Sequence, residues 1–320
     1  MRALVIKVLL SAASLLVLWG CSENFPGFDT LQPGTYEHKL NLRVYGSRRS
    51  YLLHIPKGYD HSTALPLVVA LHGGFGTARQ MEEESGLSEL ADREGYIVLY
   101  PNGITLLGWL QHWNAGHCCG QAMKDGIDDL GFVSRVIDQT CQRLKVDLSR
   151  IYMVGYSNGG MLAYFFAAQK PETIAAVATI AATIGSQPSP SEPEVRIPSA
   201  KASVPIISLH GREDDVVPYE RGGFREWGHR YVPVKESMAF WIKANQVALL
   251  PQREEMMAGR ILKETWSGNN KGGKVVLYTL EGWKHHLPTK HHTRKLPGTD
   301  PLVSFHATEH IWEFFKGHRR

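Results

Sequence analysis

Short apolar runs alternate with amphipathic segments along most of the chain, from residue 35 to the C-terminus. Leu67–Leu71 is a continuous apolar run of strand length, as found in strands that are covered on both faces. Asp128–Leu144 instead carries its apolar residues at helical spacing. The predicted strands are Thr35–Val44, Ser50–Ile55, Leu67–Leu71, Tyr96–Tyr100, Ile151–Val154, Val204–Leu209 and Val275–Leu280. The predicted helices lie within Ala78–Glu94, Asp128–Leu144, Asn158–Ala168, Val234–Asn245 and Phe305–Phe315.

This order of elements predicts the fold class. Repeated alternation of strand and helix is typical of α/β proteins with a doubly wound, mostly parallel sheet, whose functional sites lie at the carboxyl ends of the strands. The sequence contains no internal repeat that we recognise, and we assign residues 35–320 to a single domain. Gln187–Ser203 is rich in Pro and Ser and has no periodic face, so we predict that it lies on the surface.

The first 34 residues follow a different pattern. A basic start precedes Val8–Leu18, an apolar run of about 11 residues, which is too short to cross a bilayer but suits a signal peptide. The run leads to Cys21 in a segment that resembles a bacterial lipobox, apart from Trp19. We therefore expect a signal peptide at residues 1–20, lipidation of Cys21 and a tether at residues 21–34. The protein would be exported, either as an outer-membrane or periplasmic lipoprotein or by ordinary secretion.

Composition and charge exclude some classes of protein. Hydrophobic residues make up 43% of the chain and charged residues 21%, so the chain can bury a core and is not mostly disordered. The net charge of +4 would fall to about +2 with the loss of the two basic residues of the signal peptide. Such a small charge does not favour nucleic acid as a partner. We interpret the basic segment Lys284–Lys295 as a solvated loop.

Export would place the cysteines in an oxidising compartment, where disulfides persist. Cys118 and Cys119 are adjacent, and adjacent cysteines bridge each other only with a strained geometry. We therefore expect one of them to pair with Cys141 and the third thiol to be buried and inert. A zinc site is disfavoured because no second Cys or His cluster lies at ligand spacing around them.

The segment from Gly155 to Gly159, Gly-Tyr-Ser-Asn-Gly, matches the pattern G-x-S-x-G. It follows a predicted strand and opens a predicted helix, which is the strand–turn–helix setting of a nucleophilic serine. Glycines on both sides let the strand and the helix approach closely while the serine holds a strained backbone angle. We therefore predict that Ser157 is a nucleophile, in preference to a plain Gly-Ser turn.

A serine hydroxyl needs a base, and the base needs an orienting carboxylate. For a nucleophile on such a turn, the chain order is Ser, then acid, then His, each in a loop after a strand. The loop after one predicted strand contains Glu213, Asp214 and Asp215. The loop after the last predicted strand contains His285 and His286. The order is therefore correct, but spacing alone does not choose among the acids or between the histidines.

The tetrahedral intermediate of acyl transfer carries a negative oxygen that needs hydrogen-bond donors. We expect one donor to be the main-chain N–H of Asn158, at the start of the helix that follows the serine. We expect the second from the glycine-rich loop after Leu71, where Gly74 or Phe75 would turn its N–H inward. We interpret His72 in this loop as a bracing residue and not as a second base.

Five segments in the same order link the chain to a known family. They are Pro66–Gly74 (PLVVALHGG), Trp113–Gly120 (WNAGHCCG), Asp128–Val133 (DDLGFV), Gly155–Met161 (GYSNGGM) and His210–Tyr219 (HGREDDVVPY). Together they resemble the polyhydroxybutyrate depolymerase and feruloyl esterase family. The resemblance extends from about Leu40 to Phe315 and implies the α/β-hydrolase fold.

The resemblance also ranks the candidate acids and bases. In this family the acid lies in an H-G-x-x-D-x-x-V-P-Y segment, which here implies Asp214, with Asp215 as the alternative. The family's base lies in a G-G-G-H-x-W-P segment, which implies His285, with His286 as the alternative. In that second segment Leu287 replaces the family's tryptophan, and two further residues replace its glycines. We therefore expect an altered pocket wall beside the base.

Aromatic residues on the long loop after Tyr100 are candidates for contact with a substrate. Trp109, Trp113 and His117 lie there, where rings can stack on a phenolic acid or a sugar. Burial in the core is the alternative interpretation, and we retain Trp113 and His117 as substrate-binding candidates.

Two further groups of residues have structural interpretations. Asp128 and Asp129 precede a helical segment, where capping of the helix explains them. His286, His291 and His292 invite a metal site, but their irregular spacing and the lack of carboxylates nearby in sequence disfavour one. We therefore expect no metal.

The sequence thus predicts a serine esterase that cleaves carboxylic esters through an acyl-enzyme and needs no cofactor. The resemblance implies feruloyl or acetyl esters of plant polysaccharides, or hydroxyalkanoate oligomers, as substrates. One alternative is an acyltransferase or a peptidase on the same fold. Another is a non-catalytic surface lipoprotein that binds glycans. We expect membrane contact only through a lipid anchor at Cys21.

Overall fold

The computed structural model describes residues 31–104, 110–224, 229–268 and 273–320. The predicted signal peptide, Cys21, most of the predicted tether and Trp109 lie outside these residues. Among the helices of the described residues, none has the length and apolar composition needed to cross a bilayer.

Strands and helices alternate along the described part of the chain, as predicted. The strands are β1 Gly34–Val44, β2 Ser47–Ile55, β3 Leu65–Leu71, β4 Ile97–Pro101, β5 Val146–Tyr156, β6 Ala176–Ile180, β7 Gly185–Gln187, β8 Val195–Arg196, β9 Ile206–Gly211, β10 Arg230–Tyr231, β11 Gln252–Met256, β12 Ile261–Trp266 and β13 Val275–Leu280. The helices are α1 Ala78–Ser85, α2 Leu87–Glu94, α3 Gly120–Lys124, α4 Asp129–Arg143, α5 Asn158–Gln169, α6 Val234–Ala244, α7 Lys290–Thr293 and α8 Ala307–Lys316. A short 3₁₀ helix covers Pro301–Ser304.

One ten-stranded sheet runs through the molecule in the order β1-β2-β4-β3-β5-β6-β9-β13-β12-β11. The six strands from β4 to β13 in this order are mutually parallel. Antiparallel pairs flank them, β1 and β2 at one edge and β12 and β11 at the other. The predicted doubly wound, mostly parallel sheet is therefore confirmed. Strands β10, β7 and β8 form a small separate sheet.

Both faces of the central sheet are covered, as the continuous apolar runs predict. In β3, Leu67 and Leu71 face one half of the core while Val68 and Ala70 face the other. Helices α4, α5 and α6 pack on the first face, and α1, α2 and α8 pack on the second. This layering leaves the ends of the parallel strands as the places where loops can form a site.

The predicted helical segment at residues 78–94 is two helices. Gly86 has a φ of 70°, in the left-handed region, and ends α1 before α2 begins at Leu87. A left-handed residue cannot continue a right-handed helix, and glycine adopts this angle without a steric cost. The turn changes the direction of the chain just after the glycine-rich loop.

The antiparallel pair of β11 and β12 was not predicted from the sequence. Strand β11 is the outermost strand of the sheet and is mostly exposed, with the charged residues Arg253, Glu254 and Glu255. Edge strands are often charged because charge discourages pairing with another molecule. A strand of this kind has no apolar run to reveal it.

The capping prediction is correct for Asp128 and wrong for Asp129. The Asp128 carboxylate accepts a hydrogen bond from the Gly131 amide at 2.8 Å, as a helix cap does. Asp129 is buried, and its Oδ1 accepts a hydrogen bond from Nη2 of Arg49 at 2.7 Å. Its Oδ2 accepts from the Asn114 amide at 2.7 Å. Asp129 therefore holds together strand β2, helix α4 and the long loop.

The predicted disulfide to Cys141 is wrong in this structure. Cys118 and Cys119 are bonded to each other, and Cys141 is free. Cys141 lies in the last turn of α4. Asn114, which is close in sequence to Cys118 and Cys119, contacts Asp129 in the first turn of the same helix. Twelve residues of helix separate the two turns by about 18 Å. A bond between these thiols is therefore out of reach.

Candidate active site

Three loops at the carboxyl ends of parallel strands bring the predicted residues together. Ser157 follows β5, Asp214 lies just after β9, and His285 lies in the loop after β13. These strands are parallel and lie close to one another in the order β5-β6-β9-β13. Their carboxyl ends therefore meet at the same edge of the sheet.

Ser157 occupies a sharp turn between β5 and α5. Its φ is 52° and its ψ is −121°, values that a residue with a side chain rarely adopts. A Cβ at Gly155 would collide with the carbonyl of Gly159, and one at Gly159 would collide with the carbonyl of His72. The glycines of the motif are therefore required by this close approach, and the turn holds the serine hydroxyl out from the end of the strand.

His285 lies between the serine and the acid. Its Nε2 is 2.9 Å from Oγ of Ser157, and its Nδ1 is 2.8 Å from Oδ2 of Asp214. Because the carboxylate is an acceptor, Nδ1 carries the proton and Nε2 is free to accept one from the serine. This is the hydrogen-bonding arrangement that a serine nucleophile requires.

Asp214 is buried and held by its own loop. Its Oδ1 accepts hydrogen bonds from the amides of Val216 at 2.9 Å and Val217 at 2.7 Å. Burial opposes ionisation, but the hydrogen bond and the charge interaction with His285, together with smaller contributions from His210 and Val217, keep the pKa of Asp214 below its usual value. The carboxylate is therefore charged at neutral pH and fixed in orientation.

The structure separates these residues from their neighbours in sequence. Glu213 and Asp215 are both exposed, and Asp215 lies 3.6 Å from the Lys284 ammonium, in an ion pair at the surface. His286 is also exposed, and its ring stacks on that of His292 with 5.4 Å between the centroids. Among the candidate acids and histidines that the sequence left open, Asp214 and His285 are the two that contact each other. His285 also contacts Ser157.

The two loops predicted to donate to a negative oxygen lie beside the serine. The Asn158 amide is at the start of α5, and a Cβ on Gly74 would lie 3.8 Å from that of Asn158. The amide of Phe75 already donates to the Gln111 carbonyl at 2.8 Å, so it is not the second donor. Among the described residues, no acceptor is found for the main-chain amides of Asn158 and Gly74. The geometry therefore favours Gly74 over Phe75.

Hydrogen bonds hold the glycine-rich loop in place. His72 is buried, and its Nε2 accepts from the Gly103 amide at 2.9 Å. Burial lowers the pKa of His72 to about 4, so this ring is neutral and serves as a brace. The Asn158 side chain bonds to both main-chain groups of Trp113, at 2.7 and 3.1 Å. The indole N–H of Trp113 donates to the His72 carbonyl at 2.9 Å.

Known proteins share both the sequence pattern and the fold. A family model described as Esterase PHB depolymerase matches residues 49–189. Feruloyl esterase B from Piromyces equi is 29% identical over 256 residues, which cover 74% of this chain and 42% of that protein. The bifunctional acetylxylan esterase/xylanase XynS20E from Neocallimastix patriciarum is 30% identical over 223 residues, which cover 68% and 30%. The chain thus spans less than half the length of these two relatives.

Solved structures agree in fold. The acetyl xylan esterase from Aspergillus awamori superposes with a TM-score of 0.58 at 16% identity, covering 88% of this chain and 99% of that one. The ferulic acid esterase AmCE1/Fae1A from Anaeromyces mucronatus superposes with a TM-score of 0.53 at 15% identity, covering 82% and 89%. The chain belongs to an esterase family of the α/β-hydrolase type.

In this α/β-hydrolase the two predicted substrate-binding residues do not face a substrate. Trp113 and His117 are each 0% exposed. Trp113 packs its ring against His72, with 4.8 Å between the centroids, while His117 has its Nδ1 3.5 Å from the Ser186 hydroxyl. The prediction of stacking on a ligand is therefore wrong for both residues. Their role is to fill the core beneath the long loop.

Two other rings, one exposed and one half-buried, lie at the glycine-rich loop. Phe75 is 46% exposed and packs edge-on against His112, with 4.5 Å between the centroids. The His112 ring also lies 3.6 Å from where a Cβ on Gly74 would be. His112 was not predicted to be a site residue from the sequence, although it lies in the long loop after Tyr100 that was. Only the folded chain reveals which ring of that loop turns toward the site.

A small cavity of about 160 Å³ opens beside the glycine-rich loop. Its wall includes Gly74, Phe75, Tyr156 and Leu287. Leu287 is the residue that replaces the tryptophan of the related family, so the expected change in the pocket wall does lie next to the candidate oxygen-binding loop. The departure from the family pattern therefore changes the wall of this cavity.

Proposed function

We propose that this α/β-hydrolase is a serine esterase that hydrolyses carboxylic esters through a covalent acyl-enzyme. The observation that carries the proposal is the position of His285, with one ring nitrogen 2.9 Å from Ser157 Oγ and the other 2.8 Å from Asp214 Oδ2. A buried carboxylate, an imidazole and a serine in this order are the groups that acyl transfer needs.

In the first half of the reaction, Nε2 of His285 takes the proton of Ser157 as Oγ attacks the ester carbonyl. The Nδ1 proton stays hydrogen-bonded to Asp214, whose negative charge stabilises the imidazolium. The main-chain amides of Asn158 and Gly74 stabilise the oxyanion of the tetrahedral intermediate. The imidazolium then gives its proton to the leaving alcohol, and the acyl group remains on the serine.

In the second half, a water molecule replaces the alcohol. His285 removes a proton from the water as it attacks the acyl-enzyme, and the tetrahedral intermediate again places its negative oxygen at the same two amides. Collapse of this intermediate returns the proton to Ser157 Oγ and releases the carboxylic acid. These steps need no metal or organic group.

The substrate class that we propose is aryl or short-chain acyl esters, such as feruloyl or acetyl groups on plant polysaccharide, or hydroxyalkanoate oligomers. The names of the related proteins, feruloyl esterase and acetylxylan esterase, support the first two. The exposed ring of Phe75, with His112 packed against it, provides an aromatic surface next to the oxyanion loop for a phenolic acyl group.

An ester panel tests the proposal. We expect the purified chain to hydrolyse at least one of methyl ferulate, acetylated xylan, short p-nitrophenyl esters and hydroxybutyrate oligomers, and Ser157→Ala to abolish this activity. A fluorophosphonate probe should label the wild-type chain but not Ser157→Ala. Failure of the folded wild-type chain to react with the probe would contradict the proposal and favour a non-catalytic binding protein. Transfer of the acyl group to an added alcohol in preference to water, or faster amide cleavage, would favour a transferase or a peptidase.

We also propose that the protein is exported and carries a lipid anchor at Cys21. The support is the basic and apolar pattern of residues 1–20 and the segment that resembles a lipobox. Incorporation of labelled palmitate into the wild-type chain, but not into Cys21→Ser, is the expected result in a bacterial host. Export of an unlabelled chain, cleaved near residue 21, would instead indicate ordinary secretion.

A further inference from the structure

Helix α7 presents two histidines directly after the loop that carries His285. No carboxylate lies near these histidines along the chain, so a metal is not expected there from the sequence alone. In the folded protein, the last turn of α1 brings Glu84 to this helix. Ligand atoms of Glu84, His291 and His292 all lie within 4.8 Å of one another. The missing carboxylate is therefore supplied from a distant part of the sequence.

The side chains of Glu84 and His292 lie close together but are not hydrogen-bonded to each other. Nε2 of His292 is 3.9 Å from Oε2 of Glu84, which is too long for a direct hydrogen bond. Two ligands that each lie 2.0–2.1 Å from a tetrahedral zinc ion are separated by about 3.3 Å. Small movements of these side chains would bring them to ligand distance.

His292 is ready to act as a ligand. Its Nδ1 is buried, and no hydrogen-bond partner for it is found among the described residues. The Glu84 carboxylate, 23% exposed, supplies negative charge beside it.

We propose that Glu84, His291 and His292 form a binding site for a divalent transition-metal ion of the zinc class. Two imidazoles and one carboxylate suit zinc, and the same donors leave a fourth position for water. Glu84 and His291 also line a cavity of about 420 Å³ at the surface, which gives an ion access from solvent. The site is separate from the Ser157, Asp214 and His285 group and is not required by the proposed reaction.

An ion in this site would link the two elements that follow the catalytic loops. Helix α1 comes directly after the glycine-rich loop, and α7 comes directly after the loop of His285. The Thr289 hydroxyl already donates to the Glu84 carbonyl at 2.6 Å, so the two helix ends are in contact without an ion. Metal binding would strengthen this junction and raise the melting temperature of the protein.

Zinc titration of the mature chain, produced without a polyhistidine tag, tests the proposal. Isothermal titration calorimetry with zinc chloride should give one site per chain. Each of Glu84→Gln, His291→Asn and His292→Asn should weaken zinc binding by at least about tenfold. Glu89→Gln is the matched control, because Glu89 lines the same cavity and lies outside the group of three, so its zinc affinity should match that of wild type.

A second measurement separates this site from the catalytic histidine. His285→Gln should keep the zinc site, and zinc should raise the melting temperature of wild type and of His285→Gln but not that of His291→Asn. His291 is half-buried at the protein surface, so its replacement should leave the fold intact. Absence of zinc binding to the wild-type chain, or binding that persists unchanged in all three ligand variants, would overturn the proposal.

Discussion

The phenolic hydroxyl of Tyr156 donates a hydrogen bond to the main-chain carbonyl of His285 at 2.8 Å. Tyr156 is the residue before the nucleophile, and its ring also packs against the imidazole of His285, with 5.2 Å between the centroids. Burial raises the pKa of Tyr156, so its hydroxyl remains a donor throughout the neutral range. The residue that precedes the nucleophile therefore contacts the loop that carries His285 and helps to position it.

Replacement of Tyr156 by Phe removes this hydrogen bond and retains the ring. A net hydrogen bond contributes about 1 kcal/mol, so we expect kcat/KM to fall roughly fivefold, mainly through kcat. Steady-state kinetics on a p-nitrophenyl ester would measure the change. A fall confined to KM would mean that Tyr156 contacts the substrate and does not position the base.

The adjacent histidines provide a matched pair of variants for the base. His285→Gln should lower kcat on the order of 10⁶-fold, because the serine loses its proton acceptor. His286→Gln should leave kcat within a few-fold of wild type, since His286 is exposed and its ring stacks on His292. If the two effects were reversed, the assignment of the base would be wrong.

The neighbouring aspartates provide the corresponding pair for the acid. Asp214→Asn should lower kcat on the order of 10⁴-fold, because an amide that donates to Nδ1 of His285 holds the ring in the wrong tautomer. Asp215→Asn removes only an exposed carboxylate that lies 3.6 Å from Lys284 and should have little effect. Equal losses in both variants would show that the loop, and not one carboxylate, is what the substitutions disturb.

The buried pair of Arg49 and Asp129 is expected to matter for stability. Asp129→Asn leaves the guanidinium of Arg49 buried without its counter-charge, and such a loss costs about 3–5 kcal/mol. Asp128→Asn is the control, because Asn caps a helix about as well as Asp does. Urea unfolding followed by circular dichroism would measure both. A change below about 1 kcal/mol for Asp129→Asn would argue against a structural role for the pair.

Buried histidines predict acid sensitivity. Burial lowers the pKa of His38 and His72 to about 4 and that of His117 to about 3, compared with 6.5 for the unperturbed side chain. Between pH 6.5 and about 4 the unfolded chain binds more protons than the folded one, so stability falls as pH falls. His72 and His117, which are fully buried, each contribute up to about 1.4 kcal/mol per pH unit over this interval, and His38 contributes less.

The free energy of unfolding should therefore be greatest above pH 6.5 and decrease steadily toward pH 4. In His117→Gln the ring that takes up a proton on unfolding is absent, so the slope against pH should be smaller by about one proton. Urea titrations at several values of pH would measure the slopes. An unchanged slope in His117→Gln would show that this ring is not protonated on unfolding.

Local patterns in the sequence were sufficient to predict the elements that carry the site. Continuous apolar runs marked the buried parallel strands, and the two glycines around Ser157 marked a turn that only they could allow. The same reasoning missed strand β11, because an edge strand exposed to solvent carries no apolar run. It also missed the break at Gly86, which lies inside an otherwise helical pattern.

Sequence alone determined the strands and helices that carry the site, the position of the serine turn, and the two loops from which an acid and a base would come. The tertiary structure decided which residues of those loops meet: Asp214 and His285, but not Asp215 and His286. It also buried Trp113 and brought Glu84 to His292. The physical reason is that periodicity depends on near neighbours in the chain, whereas hydrogen bonding and burial depend on orientation between segments that are distant in sequence.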